Sequence, residues 1–245
     1  MQHSGALTLA DAIFPRLKAE SRAAAIARDV ALMAGFALFV ALCAQIAVRL
    51  PWTTVPITGQ TFGTLVTGAA LGWKRGVGSL AIYMVAGFWL PMYAPGSGAT
   101  AGAWDVHFIF PWMGTHNFPW NISSGGYIVG FMLAAALTGY LCEKRQWDRK
   151  PWVYLAMLAG NVALYVPGLL WLGYLIAKPM MIAGKPLGAY MLNFKGEAVT
   201  GLWNQTLWGG LYPFIVGDLM KLFLASLTLP IAWALVQRFK KTPNS

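Results

Sequence analysis

Residues 212–236 read YPFIVGDLMKLFLASLTLPIAWALV, and two of them, Asp218 and Lys221, decide how the chain is read. The run is long and apolar enough for a transmembrane helix, which needs about 20 such residues. Spaced three apart, the acid and the base share one helical face about a turn from each other. An ionised side chain at membrane depth costs about 2.5–3.5 kcal/mol on insertion scales, so it turns to the bundle interior and finds a partner or a ligand. There a ligand's polar atoms would meet one carboxylate acceptor and one ammonium donor. The alternatives are a self-satisfied structural ion pair, or side chains close enough to the interface to snorkel.

The same apolar character continues outward from this helix. Of 245 residues, 58% are hydrophobic and 11% charged, too apolar for a soluble domain and too long for a single anchor. Five further apolar segments fall at 30–48, 58–71, 77–92, 126–142 and 152–177, the second being the shortest. The expectation is an all-α membrane protein, a bundle of six transmembrane helices. It forms one domain over 29–238, between an N-terminal segment at 1–28 and a tail at 239–245.

A net charge of +10 could suit nucleic acid, but the basic residues sit in short clusters between apolar runs, which excludes a nucleic-acid surface. Basic loops near span ends stay in the cytoplasm. With the N-terminus inside, the inner segments carry Arg16, Lys18, Arg22, Arg28, Lys74, Arg75, Lys144, Arg145, Arg149, Lys150, Arg238, Lys240 and Lys241, against Arg49, Lys178, Lys185 and Lys195 outside. Both termini are therefore expected in the cytoplasm, and Asp218 and Lys221 in the outer third of the last span.

Leu9, Ile13 and Leu17 share a helical face beside Arg16, Lys18 and Arg22, which fits either a helix on the inner leaflet or a solvated tail. The outer loops at 93–125 and 178–211 are long and rich in Trp, Phe, Gly and Pro, as expected of a cover at the membrane interface. Cys43 and Cys142 lack metal or redox spacing and read as buried hydrophobes. His107 and His116 share one outer loop without metal-ligand spacing. Signatures of soluble enzymes are missing. A membrane enzyme using Asp218 would need a second convergent nucleophile or metal group, and none is found.

Other candidate contacts are weaker. Between Pro51 and Phe62 two prolines hold an extended turn, leaving carbonyls, hydroxyls and the Gln60 amide to form hydrogen bonds, with an ordinary connecting loop as the alternative. Gly125, Gly126 and Tyr127 open a span, where glycines permit either a close helix contact or approach of a ligand to helix N-terminal amides. Asn161 lies inside a span and needs a partner, a neighbouring helix or a ligand. In the first span, Ala27, Ala31 and Gly35 form one row of small residues and Ala37 and Ala41 another, suited to internal packing or to contact with another subunit.

Taken together and in order, five stretches resemble the BioY family, the biotin-binding S components of energy-coupling-factor transporters. They are VPITGQTFG (55–63), LGWKRG (71–76), GGYIVGF (125–131), LWL (170–172) and YPFIVGDLMK (212–221). The resemblance implies a six-helix S-component fold in a bacterial-type inner membrane, capturing biotin from outside without cofactor or catalysis. It also implies partners: a transmembrane coupling subunit and an ATPase pair. Asp218 and Lys221 correspond to the family's ligand-contacting acid and base, Gly125, Gly126 and Tyr127 to its Gly-Gly-Tyr stretch, and the small-residue rows to the surface that docks on the coupling subunit. Where the family typically has Gly-Pro-Thr before Gly-Gly-Tyr, this chain has Asn121-Ile122-Ser123-Ser124 after an aromatic insertion.

Overall fold

The structure, a computed structural model, describes residues 8–15, 21–96, 104–182 and 184–241. Eight α-helices are described: α1 (Leu9–Ile13), α2 (Arg22–Ala44), α3 (Gln60–Leu71), α4 (Trp73–Ala86), α5 (Gly125–Arg145), α6 (Val153–Ala177), α7 (Leu202–Gly210) and α8 (Ile215–Lys241). Each of the six apolar segments coincides with a helix. Among the described residues four stretches are long and apolar enough to cross a membrane: α2, α5, α6 and the helical stretch Leu202–Phe239, which holds most of α8. Helices α3 and α4, with 12 and 14 residues, reach only about 18 and 21 Å at 1.5 Å per residue.

Local chemistry explains the boundaries. Helix α2 starts earlier than its apolar run, because the Ser21 hydroxyl caps it by accepting from the Ala24 amide. It also stops earlier, at Ala44, where the chain turns into strand β1 (Ala47–Arg49). A single residue separates α3 from α4: Gly72, at φ +81°, a left-handed value that favours glycine. The Trp73 amide at the start of α4 donates to Glu143 of α5 at 3.3 Å. Helix α5 packs on α3, α4 and α6, while α8 packs on α3 and α6.

The outer connections are not purely irregular: β1 pairs antiparallel with β2 (Ile57–Thr58) and with β3 (Asp105–His107), so the extended turn before Gln60 is held in a small sheet. Arg49 and Asp105 face each other across it, with the Arg49 Nε donating to the carboxylate at 2.9 Å. The small-residue rows of α2 also separate. Ala37 and Ala41 are buried in the chain's own core and so cannot meet a partner. Ala27, Ala31 and Gly35 are exposed, and a Cβ on Gly35 would touch nothing within 4 Å.

At the basic end of the bundle, α1 packs against α3 and α8. Leu9, Ala10 and Ala12 are buried while Ile13 is exposed. Leu9 and Ile13 therefore do not present one face to lipid, and Arg16, Leu17 and Lys18 lie outside the described residues. Asp11 accepts hydrogen bonds from Arg75 at 2.9 and 2.8 Å and from the Thr8 hydroxyl at 2.6 Å. Burial pushes the Asp11 carboxyl up, but the bonds and charges of Arg75, Thr8 and Arg28 outweigh it and hold the group below the usual carboxylate range. A lowered folded value means that Asp11 contributes stability in full above its ordinary value of 3.8 and loses it as pH falls through the folded value. Asp11→Asn is accordingly expected to loosen α1 by about 1–3 kcal/mol at neutral pH. Hydrogen exchange at residues 9–14 would show it, and unchanged protection would contradict it.

Asp148, in the turn between α5 and α6, is also buried at this end. It accepts from the Trp233 indole of α8, and the Arg149 guanidinium lies 3.7 Å from that ring's centre. Burial pushes the Asp148 carboxyl up.

Candidate ligand-binding site

At the opposite end, α3, α5, α6 and α8 splay around a cavity of about 550 Å³, including its open mouth. Apolar walls come from Val55, Ile128, Phe131, Leu164 and Phe214, and polar groups from Thr58, Gln60, Thr61, Ser124, Tyr165, Asp218 and Lys221. A mostly apolar pocket with a few convergent polar groups is the usual form of a small-molecule site.

Asp218 and Lys221 sit in the first turns of α8 and face this cavity. The carboxylate is buried, at 4% residue exposure. Its Oδ1 accepts from the Lys221 ammonium at 2.7 Å and its Oδ2 from the Tyr165 hydroxyl at 2.5 Å. Both oxygens thus have a donor, one charged and one neutral, so the pair is a held ion pair and a cavity wall at once. That combination removes the choice between a structural pair and a lining pair which the sequence leaves open.

Tyr127 lines the cavity with its ring, which stands edge-on to Tyr165 at 5.9 Å. Its hydroxyl donates to the Gly210 carbonyl at 2.7 Å, anchoring α5 to the segment before α8. Gln60 also lines the cavity, but its amide is engaged: the oxygen accepts from Thr58 at 2.8 Å and the nitrogen donates to Tyr83 at 2.6 Å. Tyr83 in turn donates to the Met92 carbonyl at 3.2 Å. This relay ties the start of α3 to the connection after α4 and orients the wall.

Gly125, Gly126 and Asn161 are not in the lining. A Cβ on Gly126 would come within 2.4 Å of the Pro167 carbonyl oxygen and of the Trp171 Cβ, and one on Gly125 within 1.7 Å of the Pro119 carbonyl oxygen. Both glycines therefore serve close backbone packing, Gly126 directly between α5 and α6. Asn161 is buried one turn inward of Tyr165. The sequence does not mark Tyr165, Tyr93 and Phe131 as lining residues, because an aromatic in an apolar segment looks the same whether it faces lipid, core or ligand. The one available signal was that Tyr165 lies a turn from Asn161 on the same helical face.

Among the outer segments, rings distant in sequence meet. Trp52 packs on Trp104 at 5.0 Å and on Phe194 at 5.8 Å, and Phe194 packs on Trp208 at 4.8 Å. Among the described residues no group of three His, Cys, Asp or Glu is placed to hold a metal.

Several apolar helices of spanning length, with a mostly apolar cavity that carries a few polar groups at one end, define the class, a multi-pass helical membrane protein with a small-molecule-sized cleft. The chain belongs to the BioY family, whose family model matches residues 15–105 and 119–238. Similar proteins include a probable biotin transporter BioY of Pyrococcus horikoshii, 29% identical over 80% of this chain and 90% of the relative. The biotin transporters BioY of Rhizobium etli and Rhodobacter capsulatus are 27% and 30% identical, each over 82% of this chain and 90% of the relative. The fold is shared with the crystal structure of the S-component for biotin from an ECF-type ABC transporter, at a TM-score of 0.56 and 16% identity over 92% of this chain and 96% of that one.

Proposed function

We propose that this chain is a biotin-binding transport component, capturing biotin from outside the cell for uptake and carrying out no catalysis. The observation that supports this best is the Asp218–Lys221–Tyr165 set, enclosed in a largely apolar cavity of a BioY-family chain. Biotin has a neutral ureido ring, an apolar bicycle and a carboxylate tail, which suits an apolar pocket with a few fixed polar groups. The ligand set of this reading is Asp218, Lys221 and Tyr165, with Gln60 and Tyr127 as walls, Asn161 beneath, and Gly125 and Gly126 holding α5 in place.

The reading includes six spans in an inner membrane, with both termini in the cytoplasm. The basic end then faces inward and the cavity outward, in accord with the distribution of Lys and Arg. The six-helix domain covers 29–238 and the tail 239–245, of which 242–245 lie outside the described residues. No nucleotide-binding loop occurs in the sequence, so energised uptake needs other subunits, a transmembrane coupling subunit with an ATPase pair. The exposed row Ala27, Ala31 and Gly35 is the surface offered to the first of these, since small residues let helix backbones approach closely in lipid.

Purification from biotin-replete cells, followed by mass spectrometry of the released ligand, tests the reading. Recovery of stoichiometric biotin is expected. Recovery of a different heterocycle would keep the transport class and replace the ligand, and a chain that neither retains nor binds biotin would overturn the proposal.

A further inference from the structure

Two buried oxygens lie one helical turn inward of the cavity. On α3 the cavity face is made by Gln60 and Thr61, and on α6 by Leu164 and Tyr165. At 3.6 residues per turn, Thr64 falls between the directions of Gln60 and Thr61 one turn on, and Asn161 between those of Leu164 and Tyr165 one turn back. Because α3 runs away from the cavity end and α6 toward it, both positions lie on the inward side. Thr64 is 0% and Asn161 7% exposed. Neither the Thr64 hydroxyl oxygen nor the Asn161 amide oxygen has a hydrogen-bond partner among the described residues.

Buried polar side-chain atoms are nearly always paired, and leaving one unpaired is costly. The corresponding inward positions on the other two walls include Ala134 and Ala135 of α5 and Leu222 and Ala225 of α8, all 0% exposed. Beneath the cavity, two acceptors without partners thus lie among apolar side chains.

We propose that Thr64 and Asn161 form an inner floor of the binding site, which receives the neutral, hydrogen-bond-donating end of the ligand. For biotin this is a ureido N–H, so the inference rests on the biotin reading above. The chemistry follows from the donor inventory: an amide oxygen accepts, a threonine hydroxyl accepts or donates, and a carboxylate tail would bring no donor to either. The floor discriminates against ligands of equal size that lack the N–H, because such a ligand leaves the buried acceptors unpaired.

Thr64→Val and Asn161→Leu remove these oxygens at nearly constant shape. The full chain in lipid nanodiscs is titrated calorimetrically with biotin and with two analogues, each methylated at one ureido nitrogen. For biotin, each variant is expected to bind about tenfold or more weakly than wild type, in line with a lost buried hydrogen bond. For one of the analogues, wild type and variant are expected to bind almost equally, since the donor is already gone. Melting temperatures should be unchanged or raised. Equal losses for biotin and both analogues would overturn the proposal in favour of a packing role, and wild-type affinity in both variants would overturn it in favour of an ordered water or inert core. Failure of the wild-type chain to bind biotin would sink the biotin reading, and with it the ureido assignment, before any variant is compared.

Discussion

Asp218→Asn and Lys221→Ala are each expected to weaken biotin binding by at least a hundredfold while the protein remains inserted and folded. Each change breaks a pair in which both side chains are largely withdrawn from solvent, at 14% exposure for Lys221 and 5% for Asp218. Removing one partner leaves the other charge uncompensated at the cavity wall, so the ligand no longer meets the preformed acid and base. Asp218→Asn retains an oxygen for the Tyr165 hydroxyl but strands the Lys221 ammonium, which is then free to move toward the mouth. Lys221→Ala removes the only cation in the described lining, and with it any charge-assisted bond to the ligand. Equilibrium binding of labelled biotin, read beside thermal melting in the same detergent, separates lost recognition from lost folding. Wild-type affinity in both variants would remove Asp218 and Lys221 from the site. Tyr165→Phe deletes a single bond to the same carboxylate and should have a smaller effect, about tenfold.

The second large effect concerns packing. In Gly126→Ala the new methyl would lie 2.4 Å from the Pro167 carbonyl oxygen, a backbone atom that cannot swing aside. Helices α5 and α6 must separate, and overpacking of this kind costs about 1–3 kcal/mol. Tyr127, the next residue, would move with α5, disturbing its bond to the Gly210 carbonyl and the wall it forms beside Tyr165. Lower melting temperature together with weaker binding is expected. If Gly126 instead touched ligand directly, binding would fall with melting unchanged, and that outcome would restore the reading of this glycine as a ligand contact. Gly35→Ala is the internal control, since a Cβ there meets nothing within 4 Å. It should fold and bind as wild type, and disturb only a docked partner.

What was legible from sequence follows from a property of membranes. Lipid cannot satisfy a charge or an open backbone group, so apolar runs, basic clusters and an intramembrane Asp218–Lys221 pair carry information individually. The six apolar segments, and the burial of a paired Asp218 and Lys221, could be read for that reason. Gln60 and Tyr127 line the cavity, although their hydrogen-bonding groups are used within the protein.

Only the tertiary structure decided the rest, because it depends on which helical face meets which neighbour. Alanine at 37 and at 31 is the same residue in the same helix, yet one is core and the other surface. Gly125-Gly126 could admit a ligand or another helix, and only the position of Pro167 shows that a helix is there. Tyr165 reaches Asp218 from a position 53 residues earlier in the chain, a contact that no local pattern encodes. The sequence alone thus determined that a charged pair must be enclosed within a membrane bundle, whereas the packing of α3, α5, α6 and α8 decided what encloses it, since hydrophobic burial sets the composition of a segment but not its direction.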